Sequence, residues 1–293
     1  MDLGNETTHV GFIGLGIMGQ SMAGHILKAG YQLNVFNRSR DKAAALVAQG
    51  ARWCDTPSEV AGLSDAVITM VGYPHDVEAI YFGPDGIIAN AKAGAMLIDM
   101  TTSSPALAER IAAAANERGL HALDAPVSGG DIGAREARLS IMTGGSRRAF
   151  DRALPLLKIM GKNIVLQGGP GAGQHTKMCN QIVVASTIMS VCEGLAYASA
   201  AGLNAETVLE SIGSGAATSF QLNVLGPRIT QGDFAPGFMI EHFIKDMGIA
   251  IGEAERMKLE LPGLALAKKL FQQLADNGFA RLGTHALFKY YRP

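Results

Sequence analysis

Three glycines decide how this chain begins to fold. In Gly11-Phe-Ile-Gly14-Leu-Gly16-Ile-Met-Gly19 the spacing Gly14-x-Gly16-x-x-Gly19 follows an apolar run, His9 to Ile13. It opens a helical pattern, Met18 to Ala29, which Gly30 ends. A strand turning straight into a helix around a phosphate needs glycine for three reasons. The first allows the tight turn, the second lets a pyrophosphate reach the backbone, and the third lets helix and strand pack closely. The helix start adds unpaired N–H groups and a partial positive charge. Gly14, Leu15, Gly16, Ile17, Met18 and Gly19 are therefore expected to hold a dinucleotide. The chain has 36 glycines among 293 residues, so the spacing gains its weight from its place at the first strand–helix turn.

Further apolar runs follow at Gln32–Phe36, Ala66–Val71, Ala95–Asp99, Leu120–Ala125, Leu139–Thr143 and Asn163–Leu166. Helical patterns separate several of them, at Asp41–Gln49, Ser104–Arg118 and Arg147–Met160. Short apolar runs between helices suit a parallel sheet covered on both faces. The reading is an α/β, Rossmann-type dinucleotide-binding domain over residues 1–167. The breaker cluster Gly168-Gly-Pro-Gly-Ala-Gly173 closes it. Beyond that, helical periodicity runs through about 175–201, 205–213, 218–230, 240–258, 262–277 and 283–289, an all-α domain over 168–293.

Lys+Arg number 25 and Asp+Glu 26, a net charge of −1, which argues against nucleic acid or a membrane surface as partner. A 48% hydrophobic and 17% charged composition excludes a disordered chain. Cys54, Cys179 and Cys192 form no C-x-x-C pair and no even set, as expected of a reduced, cytoplasmic protein. Met1 to Thr8 is short and polar, without the pattern of a signal peptide. No metal site is expected. The stretch Ile182 to Leu203 is long enough to span a bilayer, but Glu193 and scattered serines favour a core helix, apolar almost all round. One helical domain covers only part of such a surface, so a homo-oligomer, dimer or tetramer, is expected through the helical domain.

The second strand ends in Asn37-Arg38-Ser39, without the acid that would take a ribose 2′-OH. Arg38 can face a 2′-phosphate, with Asn37 and Ser39 donating hydrogen bonds, which favours NADP over NAD. Lys177 stands early in the long helix, in Gly171-Ala-Gly173-Gln-His-Thr-Lys177-Met-Cys-Asn180-Gln181, with Asn180 and Gln181 on its face. Burial of this lysine would disfavour its charged form and suit proton exchange, the alternative being a snorkelling surface residue. In Asp124-Ala-Pro-Val-Ser128-Gly129-Gly130 a hydroxyl and unobstructed N–H groups could form a carboxylate nest, or simply a turn.

Taken in order, these segments resemble the β-hydroxyacid dehydrogenase family, which includes 3-hydroxyisobutyrate dehydrogenase and the tartronate, glyoxylate and succinic semialdehyde reductases. The resemblance runs from Val10 to about Tyr290 and adds a Lys245-Asp246 pair. It implies a 6-phosphogluconate dehydrogenase-like C-terminal domain and hydride transfer between NAD(P) and a small carboxylate substrate. By the match Lys177 is the general acid/base, Asn180 helps hold the substrate, and Ser128, Gly129 and Gly130 bind its carboxylate. Val71, Gly72, Asp76, Thr102 and Lys245 match cofactor contacts. Gly72 replaces a common Pro, Gln181 a common Asn, and His242 precedes the Lys-Asp pair by one turn. The rival from another class, a non-catalytic dinucleotide-binding scaffold, would have lost the lysine.

Overall fold

The computed structural model describes residue 3 and residues 7–291. The N-terminal reading above thus lies mostly outside the described residues. The chain divides into two compact units, Met1–Lys177 and Met178–Pro293.

The first unit is built on strands β1 (His9–Ile13), β2 (Gln32–Phe36), β3 (Arg52–Trp53), β4 (Ala66–Thr69), β5 (Met96–Asp99), β6 (His121–Asp124), β7 (Val127–Ser128), β8 (Leu139–Gly145) and β9 (Gly161–Gly168). Their order in the sheet is β3-β2-β1-β4-β5-β6-β8-β7, with β9 beside β8. From β3 to β6 all neighbours are parallel, whereas β8 runs antiparallel to β6 and β7. The expected parallel sheet is thus found from β3 to β6 and again between β8 and β9, with β8 antiparallel to β6 and β7. β6 and β7 run the same way along β8, and only residues 129–138 separate β7 from β8, too few for the crossover that a parallel return requires.

Both faces of the sheet are buried, which explains the unbroken apolar runs. Ala66, Ile68, Met96 and Ile98 enter one core cluster, and their neighbours Val67 and Leu97 enter the other. The covering helices are α1 (Ile17–Lys28), α2 (Ala44–Ala48), α3 (Pro57–Leu63), α4 (Pro74–Phe82), α5 (Ile87–Asn90), α6 (Pro105–Glu117), α7 (Gly130–Arg135) and α8 (Arg147–Lys158). Thr56, Ser104 and Ser146 cap α3, α6 and α8 through their hydroxyls. The chain reverses direction across the sheet between β1 and β4, and ligands of open α/β sheets bind at such a switch point. Register places Phe36, Ile13, Thr69, Asp99 and Asp124 in one row at the carboxyl ends of β2, β1, β4, β5 and β6.

Helix α9 (Ala172–Ala200) runs from the first unit into the second, which adds α10 (Ala205–Gly213), α11 (Gly226–Thr230), α12 (Ile240–Arg256), α13 (Pro262–Leu274) and α14 (Phe288–Tyr291). Its core joins Ile188, Cys192 and Leu195 of α9 to Phe243 and Met247 of α12 and to Phe271 of α13. The Phe243 and Phe271 rings meet edge to face at 5.2 Å. Helix α9 is long and apolar enough to cross a membrane, and 33% of its apolar stretch is buried. The expectation of a core helix is met on one face. Val183, Ser190, Gly194 and Tyr197 form an exposed stripe on the other.

Candidate functional site

The loop after β1 has the geometry that the three glycines predict. Gly14 has φ of 99°, and a Cβ there would lie 2.2 Å from the Met70 carbonyl oxygen at the end of β4. A Cβ on Gly19 would lie 2.0 Å from the Gly14 carbonyl oxygen, so α1 sits directly on the loop. Around the corresponding position of Gly16, the N-cap of α1, there is nothing within 4 Å. Ile17, Met18 and Gly19 then present first-turn N–H groups at that approach. This cradle fits a dinucleotide pyrophosphate. Leu15 has another job: its side chain is in the core, and its N–H donates to Asn37 Oδ1 at 2.9 Å.

That bond changes the part Asn37 can play. Its Nδ2 donates to the Ser39 carbonyl at 2.9 Å, so the two ends of the amide brace the turns that follow β1 and β2. The expected donation from Asn37 to a 2′-phosphate thus competes with internal bonds. Arg38 remains exposed, with Nη1 3.5 Å from Asp76 Oδ1 at the start of α4. Asp76 therefore stands beside Arg38.

A buried polar chain runs along the strand ends. Thr69 Oγ1 donates to Asp99 Oδ1 at 2.8 Å, and that oxygen also accepts from Thr101 N. Thr101 Oγ1 accepts from Val71 N at 3.0 Å, which fixes the Val71-Gly72 turn. Burial pushes the Asp99 carboxyl up to about 6, against the pull of its hydrogen bonds. Gln174, fully buried, ties the next loop to α9: its Oε1 accepts from Ser103 N, and its Nε2 donates to the Thr101 carbonyl. Thr102 is held between these two bonds.

Asp124, at the end of β6, accepts from Gly171 N and Gln174 N, both at 2.8 Å. Burial raises its pKa, opposed by those amides. The carboxylate thus caps α9 in place of a local Ser or Thr. A Cβ on Gly173 would lie 2.4 Å from the Met142 carbonyl oxygen and 2.8 Å from Asp124 Oδ2, the reason for a glycine in that turn. Less than two turns on, Lys177 is 6% exposed and donates from Nζ to the Val127 carbonyl at 2.8 Å. The snorkelling alternative is therefore discarded. Val127 adjoins Ser128-Gly129-Gly130, where Gly129 and Gly130 have φ of 129° and 61° and lead into α7. The structure thus brings together the glycine loop, the Val71-Gly72 and Thr102 turns, Ser128 to Gly130 and Lys177 within the first unit.

In the second unit Asn180 Nδ2 donates to Gln181 Oε1 at 2.7 Å, and Gln181 Nε2 donates to Asp246 Oδ2 at 2.6 Å. Lys245 Nζ lies 2.8 Å from Asp246 Oδ1. His242 is half-buried on α12, its pKa lowered by burial and by the Lys245 charge. Sequence reasoning missed Asp99 and Gln174 as site-shaping groups. The available signal was a lone acid ending an apolar strand and a polar residue inside a buried helix.

Residues 9–169 match the family model of the NAD-binding domain of 6-phosphogluconate dehydrogenase. Residues 171–291 match the model described as NAD-binding of NADP-dependent 3-hydroxyisobutyrate dehydrogenase. The chain is 55% identical to an uncharacterised oxidoreductase of Bacillus subtilis, over 96% of this chain and 97% of that one. It is 48% identical to a probable mitochondrial 3-hydroxyisobutyrate dehydrogenase-like protein of Arabidopsis thaliana, over 96% and 84%. It is 42% identical to 2-hydroxy-3-oxopropionate reductase of Escherichia coli, over 95% of both chains. Among solved structures, 3-hydroxyisobutyrate dehydrogenase of Salmonella typhimurium superposes with a TM-score of 0.88 at 30% identity, over 97% of this chain and 99% of that one. With a dinucleotide cradle at the switch point, a buried lysine beside a glycine-rich turn and matches along nearly its whole length, the chain belongs to the β-hydroxyacid dehydrogenase family of NAD(P)-dependent oxidoreductases.

Proposed function

We propose that the protein interconverts a small hydroxy acid and its semialdehyde or keto acid, with Lys177 exchanging the proton. The supporting observation is Lys177 Nζ, on a buried side chain and 2.8 Å from the Val127 carbonyl, next to Ser128-Gly129-Gly130. The bound dinucleotide supplies or accepts the hydride. In reduction, Lys177 Nζ gives a proton to the carbonyl oxygen as the alcohol forms; in oxidation it takes the hydroxyl proton. The Ser128 hydroxyl and the N–H groups of Gly129 and Gly130 orient the substrate carboxylate, while Asn180 holds the hydroxyl. Val71, Gly72, Thr102 and Lys245 contact the cofactor in this reading.

Residues 1–167 serve as the dinucleotide-binding domain and 168–293 as the substrate and oligomerisation domain. NADP is the preferred cofactor on the strength of Arg38, which is exposed at the end of β2 without the NAD-type acid. We place the enzyme in the cytoplasm, given three free cysteines, and as a homo-oligomer joined through the exposed face of α9. The favoured substrate is 3-hydroxyisobutyrate. Tartronate semialdehyde is the second reading, supported by the relative of Escherichia coli, and glyoxylate and succinic semialdehyde complete the panel. Initial rates with each acid and both cofactors, read from the near-ultraviolet absorbance of reduced nicotinamide, test this. Turnover of none of them would overturn it.

A further inference from the structure

The Ser128-Gly129-Gly130 turn leads into α7, a helix of six residues that its own sequence finishes poorly. The chain leaves it through Ala137, whose φ of 52° is a left-handed conformation that suits glycine. Arg138 N donates to the Gly133 carbonyl at 2.9 Å, but Ala137 N reaches the Ala134 carbonyl only at 3.4 Å. The last carbonyls of α7 are instead met from another helix. His25 Nε2, on α1, lies 2.9 Å from the Ala134 carbonyl oxygen and 3.1 Å from that of Arg135. Both oxygens only accept, so this nitrogen carries a proton and shares it between them. The partners are 109 and 110 residues apart in sequence, so the contact joins two separate stretches of the fold.

The place of His25 gives that contact a use. Helix α1 starts at the glycine loop that cradles the dinucleotide, and His25 stands about 12 Å beyond its first residue, Ile17. Helix α7 packs against α1, and its buried Ala134 joins the core cluster of Met22 and Ile26. So short a helix keeps few internal hydrogen bonds, and its position rests on what its ends touch. We propose that His25 is a positioning residue: it pins α7 to α1 and so holds the Ser128-Gly129-Gly130 turn at a fixed place relative to the dinucleotide cradle. The inference rests on the carboxylate-binding role given to that turn above. Hydride transfer depends on such placement, because the acid and the nicotinamide must meet in one geometry.

His25→Leu keeps the bulk and removes the donor. Water can then satisfy the two carbonyls, but it cannot tie α7 to α1. The KM of whichever acid of the panel is oxidised should rise roughly five-fold, the worth of about one hydrogen bond, while the dinucleotide Kd stays within about two-fold of wild type. His25→Gln places an amide N–H near the position of the ring N–H and should return the acid KM to within about two-fold. A purely structural role gives a different pattern: the acid KM and the dinucleotide Kd move together, or the acid KM stays put while thermal stability falls. Either result overturns the proposal, as does a glutamine variant no better than the leucine one. If His25→Leu does not fold, His25→Ala takes its place, and a wild-type acid KM there is equally fatal. Gly130→Ala separates the two readings. A Cβ at Gly130 meets nothing within 4 Å, so the methyl adds only the strain of a left-handed φ and occupies the open side of the turn. A wild-type acid KM in that variant would remove the turn from the acid site, and the role of His25 with it. A raised acid KM there beside an unaffected His25→Leu would sink the His25 proposal alone.

Discussion

At the scale of single residues, Lys177 and Arg38 carry the sharpest expectations. Lys177→Ala removes the proton donor, so kcat should fall by about 10²–10⁴-fold. Dinucleotide affinity, measured by fluorescence titration, should stay close to wild type, because the phosphates rest on the Gly14 loop. A kcat within a few-fold of wild type would end the assignment. Arg38→Asp puts a carboxylate where NADP carries a phosphate and should shift the kcat/KM preference towards NAD. A wild-type enzyme that already prefers NAD would contradict the reading of Arg38 before any variant is made. Asn37 is the wrong residue for such a switch, since an acid there loses the bond that its Nδ2 makes to Ser39. The glycine loop and Lys177 were legible in the sequence because each sits in a local pattern. Asn37 and Gln174 were not, because their partners Leu15 and Ser103 lie 22 and 71 residues away along the chain.

At the scale of elements, the row of strand ends makes a pH prediction. Asp99 is protonated in the folded chain up to about pH 6, whereas its ordinary value is 3.8. Folding therefore takes up a proton between these values, and the stability this brings is lost as the pH rises through about 6. Asp99→Asn cannot ionise, and its Oδ1 can keep accepting from Thr69 and Thr101. Relative to wild type it should gain stability between about pH 3 and about pH 7, by up to about 3 kcal/mol for a displacement of about two units. Urea unfolding at both ends of that range measures it, and a difference that ignores pH would exclude Asp99 as the cause. The long strands and α9 were readable from periodicity. The two-residue strands β3 and β7 and the short helices α3, α4, α5 and α7 were not, because so few residues show no period. The antiparallel turn of β8 was hidden too, since a buried strand looks the same in either direction.

At the scale of the whole molecule, the outward stripe of α9 predicts assembly. Light scattering at micromolar concentration should give a multiple of the 30.7 kDa chain; a persisting monomer would defeat the proposal. Tyr197→Asp, at a side chain 75% exposed in the single chain, should split the assembly and leave a folded subunit. Ile188 looks equally apolar in sequence but is fully buried within the second unit, so a charge there should unfold the chain instead. The sequence marks the change of architecture at the glycine cluster 168–173, while the compact first unit extends through Lys177. This mismatch bears on how such genes recombine. A crossover at the glycine cluster would inherit the lysine from one parent and the Asp124 and Val127 groups that seat it from the other. A crossover just past Lys177 would pass on the proton donor together with its seat. Functional chimeras of relatives should therefore join inside the helix, where the sequence shows no seam.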